Sequence, residues 1–226
     1  MNRAIGLNFH GIGTPTRALE PGEAPYWLST GQFTRLLDRI AAAPKPHDYV
    51  LTFDDGNISD HDIALPALAA HGLRARFFIL TNRIGLPGSL DTDHLQALQA
   101  AGMTIGSHGT NHVAWPELDD AALSAELAGS RMKLEDICNQ PVTEAGIPFG
   151  HYDARVLRAL RGAGYAAAFS SDGGTMDCEA FLRPRTSLRS DMTPAQITSL
   201  LTAHTAPLRR LRRTLGMAKR RWLPLA

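Results

Sequence analysis

Five groups of polar residues in this sequence have types and positions suited to chemistry. Asp54 and Asp55 form an acidic pair before Gly56. His108 and His112 stand four apart, with Gly106 and Gly109 around the first of them. His10, Pro148–Phe149–Gly150 and Ser170–Ser171–Asp172 complete the set. Taken singly, Asp-Asp-Gly reads as a turn, because Asp and Gly are favoured turn residues, and the two histidines read as unrelated. Taken together, one carboxylate and two imidazoles suit a catalytic zinc site in which water holds an open position. Asp55, His108 and His112 fill those roles, and Asp54 is left over for proton transfer. The two glycines let the backbone bend so that both imidazoles reach one ion.

Such residues must be positioned by regular elements, and the hydrophobic pattern supplies them. Short apolar runs predict strands over residues 4–9, 49–53, 75–80, 103–107, 142–147 and 165–169, with a weaker seventh over 181–187. Between them, helical spacing predicts helices over 29–40, 63–70, 91–101, 119–139, 153–162 and 193–204, the first opened by Ser29 and Gln32 and the fifth by Asp153. Alternating strands and helices favour a parallel sheet with helices outside it, in a single domain. His10, Asp54–Asp55, His108, Pro148–Gly150 and Ser170–Asp172 then each follow a strand, at the carboxyl ends where parallel α/β folds gather their ligands.

Three stretches of this text are similar to successive motifs of the polysaccharide deacetylases, the NodB-homology domain of carbohydrate esterase family 4. They are Thr52-Phe53-Asp54-Asp55-Gly56, Ser107-His108-Gly109-Thr110-Asn111-His112 and Ile147-Pro148-Phe149-Gly150-His151-Tyr152-Asp153. The resemblance runs from about Asn8 to Arg185. It implies an α/β fold, a single distorted (β/α) barrel of about seven parallel strands, expected to occupy residues 1–206. It implies one divalent metal ion, usually Zn2+, on Asp55, His108 and His112, with Asp54 as general base. It also implies an oxyanion donor near Phe149 or Gly150 beside Pro148, and removal of N-acetyl groups from N-acetylhexosamine units of a polysaccharide, oligosaccharide or lipid-linked saccharide.

Two departures from the family pattern stand out. The arginine that usually orients the base falls at Gly146, as in exopolysaccharide-type deacetylases, and Arg185 is the replacement expected, with Arg183 in reserve. The usual late histidine is not clearly present. His10 matches the place that supplies the acid in some permuted relatives, while His204 has a weak version of the usual spacing; a histidine suits the task because its pKa lies near neutrality. Two other readings stay open: a hydrolase of a small non-sugar amide or imide, and a carbohydrate-binding protein without catalysis. Trp27 and Trp115 are candidates either for stacking on a sugar or for packing. Asn57 and Asp60 are candidates for supporting the ligands. His47, His61, His71 and His94 read as solvated surface.

The bulk composition is that of a globular protein: 226 residues, 44% hydrophobic, 20% charged, net charge +1. That charge is unevenly spread. Residues 207–226 hold seven basic side chains and no acid, which leaves 16 basic against 22 acidic residues in the rest. Leu208, Leu211, Leu215 and Trp222 interleave with the basic residues, so this segment is expected to be a basic C-terminal helix or tail, in weak contact with an anionic membrane surface or simply solvated. No nucleic-acid partner is expected. The N-terminus has no signal-peptide pattern, which leads us to expect a cytoplasmic protein, peripheral to the inner membrane face if the tail binds lipid. Cys138 and Cys178 match no metal or redox spacing and are expected to be reduced thiols.

Overall fold

A computed structural model describes residues 3–203 and 207–222. The elements run in chain order as β1 (Arg3–Phe9), α1 (Thr30–Ala41), β2 (Tyr49–Asp55), α2 (Leu65–Ala70), β3 (Ala75–Ile79), α3 (Thr92–Ala100), β4 (Thr104–Ser107), α4 (Asp120–Ser124), α5 (Ser130–Cys138), β5 (Glu144–Gly146) and α6 (Ala154–Gly162). They continue as β6 (Ala167–Ser170), β7 (Thr175–Asp177), β8 (Leu182–Pro184), β9 (Thr186–Ser187), α7 (Pro194–Leu201) and α8 (Pro207–Trp222). Helix starts follow local chemistry. Ser29 with Gln32, Asp91 with His94 and Thr193 with Gln196 form capping boxes, and the Asp153 side chain accepts the Val156 N–H.

The sheet order is β7-β1-β2-β3-β4-β5-β6-β8, and every pairing is parallel except β1 with β7. The seventh parallel position is split. β8 pairs with β6 at one end of the sheet, and after the single residue Arg185 the chain pairs as β9 with β1 at the other. This brings the two ends together into a nearly closed (β/α) barrel, as expected. Its layers of packed aromatics include Phe9, Phe53 and Phe77, stacked in a row with centroids 4.8 and 4.7 Å apart.

The structure adds a strand, corrects one helix and decides between the two readings of the tryptophans. Residues 175–177 form an antiparallel strand that no alternation announces, because three residues carry no period. The helix expected over 119–139 is three pieces, since Ala125–Gly129 between α4 and α5 winds as a π-helix, which keeps the same apolar face while adding a residue to the turn. Trp27 and Trp115 are both buried and serve packing: Trp27 donates from its indole to Glu23 and occupies the space that a side chain on Gly11 would need. His204 lies outside the described residues. In α8, Met217 is buried, and Arg220 turns inward to pair with Asp172 and lie over the Tyr152 ring. Among the described residues, no helix is long and apolar enough to cross a membrane. Cys138 and Cys178 are free thiols.

Candidate metal and hydrolytic centre

The carboxyl ends of β1, β2 and β4, with the turn after β5, open into one cavity of about 470 Å³. His10, Asp54, Asp55, His108, His112 and Phe149 all line it. β2 ends on Asp55 at φ 79° and Gly56 at φ 72°, a left-handed pair that breaks the strand and turns the Asp55 carboxylate inward. Asp tolerates this region better than most residues, and such backbone strain gathers at functional sites.

Ligand atoms of Asp55, His108 and His112 lie within 4.8 Å of one another. Asp55 Oδ1 is 3.5 Å from His108 Nε2 and 3.7 Å from His112 Nε2, and although buried it has no hydrogen-bond partner. A buried carboxylate oxygen left bare is costly. Distances too long for hydrogen bonds suit ligands around a common ion. Both imidazoles are also aimed. His108 Nδ1 is 2.9 Å from the Gly146 carbonyl, and His112 Nδ1 is 2.6 Å from Glu20 Oε2, so each ring presents Nε2 to the centre. Burial lowers the His108 pKa against the pull of Asp54 and Asp55, which keeps its ligating lone pair available. The residues fit a divalent cation.

Asp54 faces a different set of partners. Arg185, fully buried, donates from Nη1 to Asp54 Oδ1 at 2.7 Å and from Nη2 to Oδ2 at 3.0 Å. Asn8 Nδ2 donates to Oδ2 at 2.9 Å, and Arg185 Nη1 also reaches Asn8 Oδ1 and Thr52 Oγ1. Burial alone would raise the Asp54 pKa, but the Arg185 charge, then His108, the Arg185 hydrogen bonds and His10, hold it far below the usual carboxylate range. Asp54 is therefore ionised at any working pH.

The structure also explains why Gly146 is glycine. A Cβ there would lie 2.9 Å from the Phe78 ring and 3.1 Å from His108 Nδ1, and Arg185 stacks over the same Phe78 ring at 5.1 Å. The reserve candidate, Arg183, points elsewhere, to the Ala180 carbonyl and Glu144.

Phe149 sits at φ 56° in the turn after β5, half exposed, and stacks on His112 with centroids 4.2 Å apart. Gly150 follows at φ 69° against Ser171, where a Cβ would come within 2.7 Å. Pro148 is buried and has no N–H, and the Gly150 N–H is spent on the Ile147 carbonyl. His10 lines the cavity with its ring 4.9 Å from Tyr26 and a buried Nδ1 without partner. Asn57 accepts from Arg17, and Asp60 is buried beneath the strand end, where burial, then Asp55 and Asp54, raise its pKa well above normal.

These observations place the chain. The family model described as polysaccharide deacetylase matches residues 41–168. The chain belongs to the polysaccharide deacetylase family. Among curated relatives, a Bacillus subtilis protein, YxkH, whose name assigns it to the polysaccharide deacetylases, is 26% identical over 155 residues, covering 66% of this chain and 56% of that protein. A chitin deacetylase of Pestalotiopsis sp is 29% identical over 126 residues, covering 56% and 42%. The chain thus spans about half the length of these relatives. Among solved structures, the Streptococcus pyogenes deacetylase PplD, in complex with acetate, superposes with a TM-score of 0.74 at 18% identity, covering 88% of this chain and 98% of that one. It shares the fold.

Two further residues support the cavity without any signal in the sequence. Glu126, in the π-helical turn, accepts from the backbone N–H groups of Thr110 and Asn111 and from the Asn111 side chain, and so braces the loop between the two histidines. Glu20 comes from the loop after β1, pairs with Arg83 and fixes His112. It precedes the matched residues 41–168 and sits in no motif, so no pattern announced it. Removing a carboxylate that orients a metal-binding histidine typically costs ten- to a hundredfold in metal affinity. Glu20→Gln is expected to weaken Zn2+ binding by about tenfold, measured by chelator competition; unchanged affinity would show that His112 is oriented without it.

Proposed function

We propose that this chain is a metal-dependent hydrolase that removes N-acetyl groups from N-acetylhexosamine units of a polysaccharide, oligosaccharide or lipid-linked saccharide. The observation that carries the reading is the pairing of a bare inward-facing Asp55–His108–His112 set with an ionised, arginine-held Asp54 beside it in one open cavity. Asp55, His108 and His112 would hold one divalent ion, Zn2+ by the nitrogen-rich donor set, and that ion would supply Lewis-acid polarisation and a more acidic water.

The chain's own groups do the rest. Asp54 accepts the proton of the attacking water, and Arg185 with Asn8 keeps its carboxylate aimed and ionised. The Phe149 amide, the one left after Pro148 and Gly150 are excluded, is the candidate donor to the oxygen that gains charge. His10 passes a proton to the departing amine as the C–N bond breaks, giving acetate and a free amino sugar. Phe149 and Tyr26 offer ring faces to a hexose at the cavity wall. The chitin deacetylase among the relatives supports a glycan substrate.

Acetate release from chitooligosaccharides by the Zn2+-loaded chain is the direct test. His108→Ala should abolish it and remove the catalytic ion; a wild-type chain that refuses zinc, or a loaded one that releases no acetate from any N-acetylated glycan, overturns the proposal. His10→Ala is expected to lower kcat by about 10² or more, the usual contribution of an acid–base group, with the basic limb of the pH–rate profile lost. An unchanged profile would remove His10 from the role.

A further inference from the structure

We infer that His61, Asp62 and His94 form a second cation site, outside the cavity, for a transition-metal ion of the Zn2+, Ni2+ or Cu2+ class. His61 and Asp62 lie in the π-helical turn Asp60–Ala64 that leads into α2, and His94 lies in the first turn of α3. The fold brings these distant segments together so that one ligand atom from each residue falls within 4.8 Å of the others. The two imidazole rings are 4.4 Å apart, centroid to centroid.

The local geometry has the form of a ligand set. His61 Nδ1 and Asp62 Oδ1 are hydrogen-bonded at 2.9 Å, which holds two potential ligand atoms side by side for an ion that displaces the shared proton. His94 Nδ1 accepts the Asp91 backbone N–H at 3.2 Å, as the capping box requires, and lies 2.9 Å from Asp91 Oδ1. Ligation through His94 Nε2 therefore takes the other tautomer, with Nδ1–H turned to the Asp91 carboxylate and the backbone bond of the cap given up. All three side chains retain solvent access, with 31%, 58% and 26% of their surface exposed, so an ion can enter and water can complete its shell. Two imidazoles with one carboxylate favour borderline transition metals over Ca2+ or Mg2+, which prefer oxygen. A bound ion would tie the turn at Asp60–Ala64 to α3.

The test counts ions. A tag-free chain stripped with chelator is dialysed against Zn2+ and its metal content measured, beside His61→Ala/His94→Gln and His108→Ala. Glutamine at 94 preserves the capping box. The wild type is expected to hold two ions, each variant one, and the surface variant should release acetate at the wild-type rate once loaded. Zn2+ should also raise the Tm of the wild type more than that of the surface variant. A surface variant that retains as many ions as the wild type overturns the inference. Because the count is compared between these two chains, that result is separate from failure of the cavity site, which the His108→Ala chain reports.

Discussion

Asp54→Asn is expected to cut acetate release by about 10³-fold while leaving the metal content of the chain unchanged. Asn cannot take a proton, and an acid–base group contributes roughly 10² to 10⁴ to rate. Asp54 is not among the converging ligands, because its two oxygens are occupied by Arg185 and Asn8. Metal retention with activity lost separates this variant from His108→Ala, in which both go. The substitution also leaves Arg185 facing a neutral amide, so thermal melts must accompany the kinetics. Arg185 still reaches Asn8 Oδ1 and Thr52 Oγ1, which argues for a folded variant. If Asp54→Asn kept more than a tenth of the wild-type rate, another group would have to be the base.

Arg185→Met should be the most destabilising single change in the site. It strips a bidentate partner from a buried carboxylate, and breaking a buried pair from one side typically costs about 3–5 kcal/mol. For a domain of this size that is on the order of 10 °C in Tm. The pH dependence gives the cause away. In the wild type the Asp54 pKa is depressed below its unfolded value, so the pair's contribution is fully present above the ordinary carboxylate range and is lost only as pH falls through the depressed value. In the variant, burial acts unopposed by the guanidinium and favours the protonated acid. The stability gap, read by thermal melts of the metal-free chains, is therefore expected to be widest at neutral pH and to narrow as pH falls, first as Asp54 of the variant takes up its proton and then, below the ordinary carboxylate range, as the wild-type pair is lost. Arg185→Met/Asp54→Asn should recover part of it, and Arg185→Lys should not restore activity, since an ammonium cannot hold both oxygens in a planar fork. A gap that does not vary with pH would mean that Arg185 matters for packing on Phe78 and Phe169 rather than for charge.

Much of this was legible in the sequence, for physical reasons that also mark the limit. The proposed metal set could be found because ligands must lie close together, and a strand end plus a four-residue step is enough to bring ligand atoms of Asp55, His108 and His112 to within 4.8 Å of one another. Helix starts could be found because capping is local. Arg185 was reachable only through the arginine missing at Gly146; nothing around Leu182–Ser187 says that one strand serves two edges. Glu20 and Glu126 act through loops that fold back over some 92 and 15 residues of chain to reach His112 and Asn111, and a carboxylate that caps backbone amides has no period. The π-turn that aims Glu126 keeps the apolar spacing of the helix around it, so the spacing cannot reveal it. Trp27 and Trp115 read equally well as sugar platforms until burial decided the matter.

Arg185 stands at the one residue where the chain crosses from β6 to β1, and this has a consequence for the order in which the molecule matures. During synthesis the proposed ligands Asp55, His108 and His112 emerge early, yet Asp54 has no cationic partner until the segment bearing Arg185 leaves the ribosome. Closing the barrel and charging the site are then one event. A nascent chain or a fragment cut at residue 168 would carry all three proposed ligands around an open sheet, with Asp54 held by Asn8 alone. The topology thus leaves Asp54 without its cationic partner until the fold is complete.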